Sequence, residues 1–204
     1  MLDLSLQQVL FRALAYLVIA GLHGMLIAAL ARLLGAMGPS YDGRLTPAPF
    51  VHIDLLGMLS AVLGQFGWIR PVALQAEELR GGRGTLVAVG LLALALTLAV
   101  ALGLWSARSL VFAVVTSDAL TNSIIVGLRI GVEMALLFTL LNLVPLPPLT
   151  GGLILQAAAP HLAEQATRFA WVIRLGLAVL ISSGILSDLL RPLSAALRQA
   201  ALGS

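Results

Sequence analysis

Four apolar runs, at about 13–34, 85–105, 120–143 and 169–190, each reach the length of about 20 residues that an α-helix needs to cross the hydrocarbon core of a bilayer. Sustained runs without period-2 alternation exclude a membrane β-barrel. The expected fold is therefore an all-α membrane bundle of about four transmembrane helices in a single domain, 1–204. Composition points the same way, because a chain that is 60% hydrophobic and only 10% charged cannot cover a soluble surface.

The intervening segments carry their own signals. The apolar stretch 55–68 is too short to cross comfortably and reads as a re-entrant or interfacial element, with Trp68 at the headgroup level. Segment 35–54, rich in Gly, Pro and turn formers, reads as an ordered interfacial loop whose Gly43-Arg44-Leu45-Thr46 stretch is extended. Pro145, Pro147 and Pro148 stop the third run, and a loop around Pro160 and His161 leads to the fourth. Beyond Pro192, Leu193, Leu197 and Ala200 share one face with Arg198 off it, the pattern of an amphipathic surface helix over 193–202. At the other end Asp3 precedes a weakly amphipathic start (Leu2, Leu6, Leu10) without a basic n-region or a small-residue cleavage site. The first run is expected to stay in the mature protein.

All the basic residues are Arg, the net charge is +3, and these charges are scattered among loops, which argues against nucleic-acid binding. Arg12 and Arg32 stand near the ends of the first run, where they can snorkel to the headgroups, and Trp105 and Trp171 read as interface anchors. With 55–68 re-entrant, Arg32, Arg44, Arg70, Arg80, Arg83 and Arg168 share one side, against Arg12, Arg108, Arg191 and Arg198, which places both termini outside the cytoplasm. The absence of Cys excludes disulfides and thiolate metal sites. Arg129 and Glu133 are ionisable groups inside a run. Four apart on one helix face, they either pair with each other or serve a charged contact to another subunit or a lipid headgroup. Gly127 and Gly131 on the same helix have the small-xxx-small spacing that permits close helix approach.

The most informative stretch is Asn142-Leu143-Val144-Pro145-Leu146-Pro147-Pro148-Leu149-Thr150-Gly151-Gly152, a Pro-broken helix end. On its residues alone it is a helix stop. It also resembles the second signature of the site-2 protease family of intramembrane zinc metalloproteases, N-x-x-P-x-P-x-L-D-G, matched here at Asn142, Pro145, Pro147, Leu149 and Gly151. Two further segments resemble the short bacterial form in the same order: Gly43-Arg44-Leu45-Thr46 with His52-Ile53-Asp54 and Gly57, then Phe66-Gly67-Trp68 with Arg70-Pro71-Val72. The resemblance implies a site-2-protease-like core in a bacterial cytoplasmic (inner) membrane.

The chemistry that the family carries is missing from the matching positions. Two His one helical turn apart, with a Glu between them, would share a zinc ion and activate its water. The corresponding stretch here is His23-Gly24-Met25-Leu26-Ile27: His23 is kept, Gly24 stands for the base and Ile27 for the second ligand. The third ligand, an Asp in the later signature, falls on Thr150. A further family feature, A-G-P-x-x-N, reads Val89-Gly90-Leu91-Leu92-Ala93-Leu94. His52, Asp54 and His161 are expected in interfacial loops, and Glu133 about 13 Å up the helix from Asn142, so none is expected to rebuild a site with His23.

The resemblance with these losses implies a pseudoprotease with no catalytic residue, metal or cofactor. It is expected to act as an accessory or assembly subunit of a larger complex of integral membrane proteins, of which a respiratory or photosynthetic assembly is one type, with membrane lipids around it. Asn142, Pro145, Pro147, Thr150, Arg129 and Glu133 are the candidates for substrate or partner contact. The alternatives are an active zinc protease with unusual ligands and a clamp that holds single-span proteins without cutting them.

Overall fold

The computed structural model describes residues 4–202. Leu2 and Asp3 of the expected amphipathic start lie outside the described residues, as does the Arg191 side chain. The first helix, α1 (Leu6–Leu33), begins well before the apolar run does. A capping box sets that start: the Ser5 hydroxyl accepts the Gln8 N–H and the Gln8 side chain accepts the Ser5 N–H, both at 3.2 Å. Gly35, at φ +113°, ends the helix in a Schellman arrangement, with the Ala36 N–H donating to the Ala31 carbonyl at 2.9 Å.

Residues 34–80 leave and rejoin that end of α1, where the Arg80 N–H donates to the Leu34 carbonyl at 2.7 Å. Between lie α2 (Gly38–Tyr41), a 3-10 turn at Pro49–Val51 and α3 (Leu55–Gly64), which begins at Asp54 as N-cap. The segment runs back along α1 towards its N-terminal third. At Gly21 a Cβ would meet the Pro47 carbonyl, the Tyr16 hydroxyl donates to the Trp68 carbonyl at 2.9 Å, and Arg12 donates to the Val62 and Leu63 carbonyls at 2.9 and 3.1 Å. Those are carbonyls of α3's last turn, which the helix cannot satisfy itself, and a guanidinium there also suits the negative end of the helix dipole.

Two expectations are corrected in this excursion. Gly43-Arg44-Leu45-Thr46 forms turns and bends, and among the described residues there is no strand, only an antiparallel bridge between Ile53 and Ile69. Trp68 is fully buried among Phe66, Leu141, Leu149 and Ile181 rather than placed as a surface anchor. It belongs to the returning leg, which packs between helices, whereas a headgroup position would follow only if 55–68 ended at a membrane surface.

The chain continues through α4 (Gly82–Ser106), α5 (Ser109–Val114) and α6 (Asp118–Asn142). Leu6–Leu33, Gly82–Val114 and Asp118–Asn142 are long and apolar enough to cross a membrane, which is consistent with an integral membrane protein. α1, α4 and α6 pack on one another around Ile19, Ile27, Val89, Ala93, Met134 and Phe138.

The C-terminal part departs most from expectation. The loop around Pro160 and His161 is helical: α7 (Gly152–Ala158) is followed by α8 (Pro160–Arg168), which Pro160 opens at a helix start, where its missing N–H costs nothing. α9 (Ala170–Ser182) leaves α8 at 75°, so a fourth span exists only if this bent pair counts as one. The expected run to residue 190 is cut at Gly184, which has φ +81°. Ser182 and Ser183 precede it, and their hydroxyls bond back to the Ala178 and Leu180 carbonyls at 2.6 and 3.0 Å, a habit that bends and frays helices. α10 (Ile185–Leu202) then runs through Pro192 without stopping. It packs inward by Leu186, Leu190 and the buried Ser194, while Leu193 and Ala200 of the expected apolar face are exposed.

Candidate functional site

Where α1, α4 and the end of α6 converge, three side chains far apart in sequence close a polar chain inside the core. His23, near the middle of α1, is fully buried. Its Nδ1 lies 3.0 Å from the Thr97 hydroxyl of α4, and its Nε2 lies 2.9 Å from the Thr150 hydroxyl. Thr97 gives its own proton to the Ala93 carbonyl at 2.7 Å, so it accepts from His23, which fixes the proton on Nδ1. Nε2 then accepts the Thr150 hydroxyl proton, and His23 is a neutral imidazole with both nitrogens used. The Phe138 ring meets the imidazole edge to face at 5.0 Å.

Asn142 holds Thr150 in place. Its amide donates to the Gly67 and Phe138 carbonyls, both at 2.9 Å, and its oxygen accepts the Thr150 N–H at 3.2 Å. The Gly151 N–H donates to the Asn142 carbonyl at 2.7 Å, and a Cβ on Gly151 would collide with the Val144 carbonyl, so the Pro-rich turn closes only with glycine there. Asn142 is thus fully enclosed, with every polar atom occupied by α6, the excursion and the Pro-rich turn.

Gly24 and Ile27 flank His23. A Cβ on Gly24 would run into the ring of His52, which the excursion lays on α1 at this point. His52 lies in a loop, as expected, but that loop packs it inward on α1. His52 is fully buried, and its Nε2–H donates to the Thr46 carbonyl at 2.9 Å, leaving Nδ1 unprotonated and without a hydrogen-bond partner against α1. Burial pushes the imidazole below its ordinary pKa range, the Thr46 carbonyl works against that, and nearby Arg44 adds to it. Ile27 is buried and helps line a small cavity of about 110 Å³ together with Val72, Pro147, Thr150 and Gln156.

The remaining candidates are placed elsewhere. Arg129 and Glu133 pair at 3.2 Å, with Arg129 half exposed and Glu133 mostly covered. Pro145 is exposed on the Pro-rich turn. His161 lies exposed on α8. Asp54 caps α3 by accepting the Gly57 N–H at 3.0 Å, and its second oxygen faces Arg174 of α9 at 3.6 Å.

Arg174 is absent from the candidates drawn from the sequence, although the signal was there. An Arg inside an apolar run needs a partner, and Asp54 is the acid that the fold brings to it.

The residues around His23 do not fit a zinc ion. Thr97 and Thr150 occupy both imidazole nitrogens, Ile27 stands one turn on, and among the described residues no three of His, Asp or Glu come together in a way that could hold a metal. Comparison with protein families, with curated proteins and with solved structures returns no match to this chain.

Proposed function

We propose that this protein is a non-catalytic relative of the site-2 proteases that serves as an accessory or assembly subunit of a larger complex of integral membrane proteins. The observation that carries the reading is the Thr97–His23–Thr150–Asn142 chain. The positions which in the resembled family hold zinc, His23 and Thr150, meet here as a closed, neutral hydrogen-bond network. The His52 ring fills the space beside Gly24, where the family's base would stand, and Ile27 takes the place of a ligand. Hydrolysis by that route needs a metal-bound water and a base, and these positions supply neither.

A scaffold relieved of chemistry acts through its surfaces. The half-exposed Arg129 inside α6, the exposed Pro145 turn and the many exposed apolar side chains of α9 and α10 give this one surfaces suited to helix–helix contact. The excursion that returns to Leu34 supports a re-entrant reading of 55–68, as in a compact site-2 protease core. A bacterial inner membrane follows from the same resemblance.

Native gels and mass spectrometry of membranes solubilised in mild detergent test the proposal. The chain should migrate in a hetero-oligomer with other membrane proteins in fixed ratio, and migration as a lone chain would overturn it. The small cavity bounded by Ile27, Pro147 and Thr150 favours a second reading, a clamp that holds single-span proteins uncut. Photocrosslinkers at Pro147 and Gln156, which line that cavity, would then capture a single-span partner, whereas a lateral subunit crosslinks from Arg129.

A further inference from the structure

A second and larger cavity, of about 470 Å³, lies between α1, α4 and α6, and its walls are almost wholly apolar. Its two polar side chains, Thr97 and Ser123, are already engaged, Thr97 with Ala93 and His23 and Ser123 with the Ala119 carbonyl at 2.9 Å, so neither calls for water. A dry cavity of this kind takes apolar occupants. Its rim side chains Leu14, Val18, Val100, Leu104 and Leu120 are all among the exposed apolar residues, so the cavity opens sideways between spanning helices. Beyond Leu104, Arg108 stacks on the Trp105 ring at 4.6 Å, which puts a cation just past the last residue of α4 that lines the cavity.

The shape decides what fits. The cavity follows α1 from Phe11 to Leu22, about 17 Å of helix, so with a van der Waals margin of about 1.4 Å added around that volume its mean cross-section is on the order of 60 Å². A partner helix even 10 Å across would need roughly 80 Å². A polymethylene chain, about 4–5 Å wide at carbon–carbon contact distances, needs nearer 20 Å². Two such chains need about 40 Å², and we infer that this cavity holds the paired acyl chains of one membrane phospholipid, entering from the bilayer past Leu104 and Leu120 and reaching Thr97 below the His23 network.

Gly131 provides the test. It lines the cavity, and a Cβ built on it meets nothing within 4 Å, so Gly131→Leu projects into the space without displacing the fold. Both proteins are reconstituted in dioleoyl phosphatidylcholine vesicles, extracted in mild detergent and weighed by native mass spectrometry. The wild type should keep about one phospholipid per chain, and Gly131→Leu at least about fivefold less, with unchanged helical circular dichroism and no lower melting temperature. Equal retention by the two folded proteins would overturn the inference. A photocrosslinker at Val18 should label phospholipid, and labelling of a partner protein there would overturn it as well. Neither readout depends on whether the chain belongs to a complex.

Discussion

The Nε2 of His23 lies 2.9 Å from the hydroxyl of Thr150, joining the middle of α1 to the Pro-rich turn across 127 positions of chain. Because Thr97 and Asn142 complete the hydrogen bonding, neither group is left unsatisfied in the core. Replacing Thr150 by Val keeps the volume but removes the donor, leaving a buried nitrogen unpaired. The expected cost is about 1–3 kcal/mol, read as a lowered melting temperature in detergent. A Thr150→Ser variant, which restores the hydroxyl, should recover most of it.

Gly24 and His52 form a contact that leaves no room for a side chain. Gly24→Ala should destabilise the protein by about 1–3 kcal/mol through overpacking. In a His52→Ala background the same substitution should cost much less, so a double-mutant cycle should give a coupling of about 1 kcal/mol or more. Additive effects would mean that the ring and the glycine do not meet.

His52 also sets a pH dependence. Its pKa is lowered from 6.5 in the folded protein, chiefly by burial, so between the folded and unfolded values the unfolded chain binds the extra proton. Its contribution to stability is present above about pH 6.5 and is lost as pH falls through the folded value. His52→Gln keeps a donor for the Thr46 carbonyl but cannot titrate. Thermal melts between about pH 8 and pH 5 should fall more steeply for the wild type than for this variant.

Asp54 and Arg174 link the start of α3 to α9 as an ion pair, the Asp54 carboxylate almost fully covered and the Arg174 side chain one-third exposed. Arg174→Met strands a buried carboxylate and should cost about 3 kcal/mol or more. Asp54→Asn retains the cap to Gly57 and leaves an Arg able to reach outward, so it should cost less. The double substitution should be more stable than Arg174→Met alone. Chemical or thermal unfolding of the three proteins checks the order.

How much of this was legible beforehand depends on whether a feature is local. Apolar length alone locates α4 and α6, whose observed bounds fall within a few residues of the expected runs, because lipid demands unbroken helix. The convergence of His23, Asn142 and Thr150 was not legible, since nothing in their spacing brings them together. Burial of Trp68 and His52 was not legible, because His52 sits in a segment that reads as an interfacial loop and Trp68 ends one that reads as a re-entrant or interfacial element until their path back along α1 is known. The break at Gly184 was hidden for a different reason. Pro192 is the stronger helix breaker by propensity, but two back-bonding serines before a glycine decided the outcome.

The central claim is that the positions around His23 form a closed neutral network where the resembled family holds its metal. Elemental analysis of protein purified without chelators, beside His23→Ala, tests it most directly. The account predicts zinc far below one ion per chain and no difference between the two proteins. About one zinc per chain in the wild type, lost in His23→Ala, would contradict it.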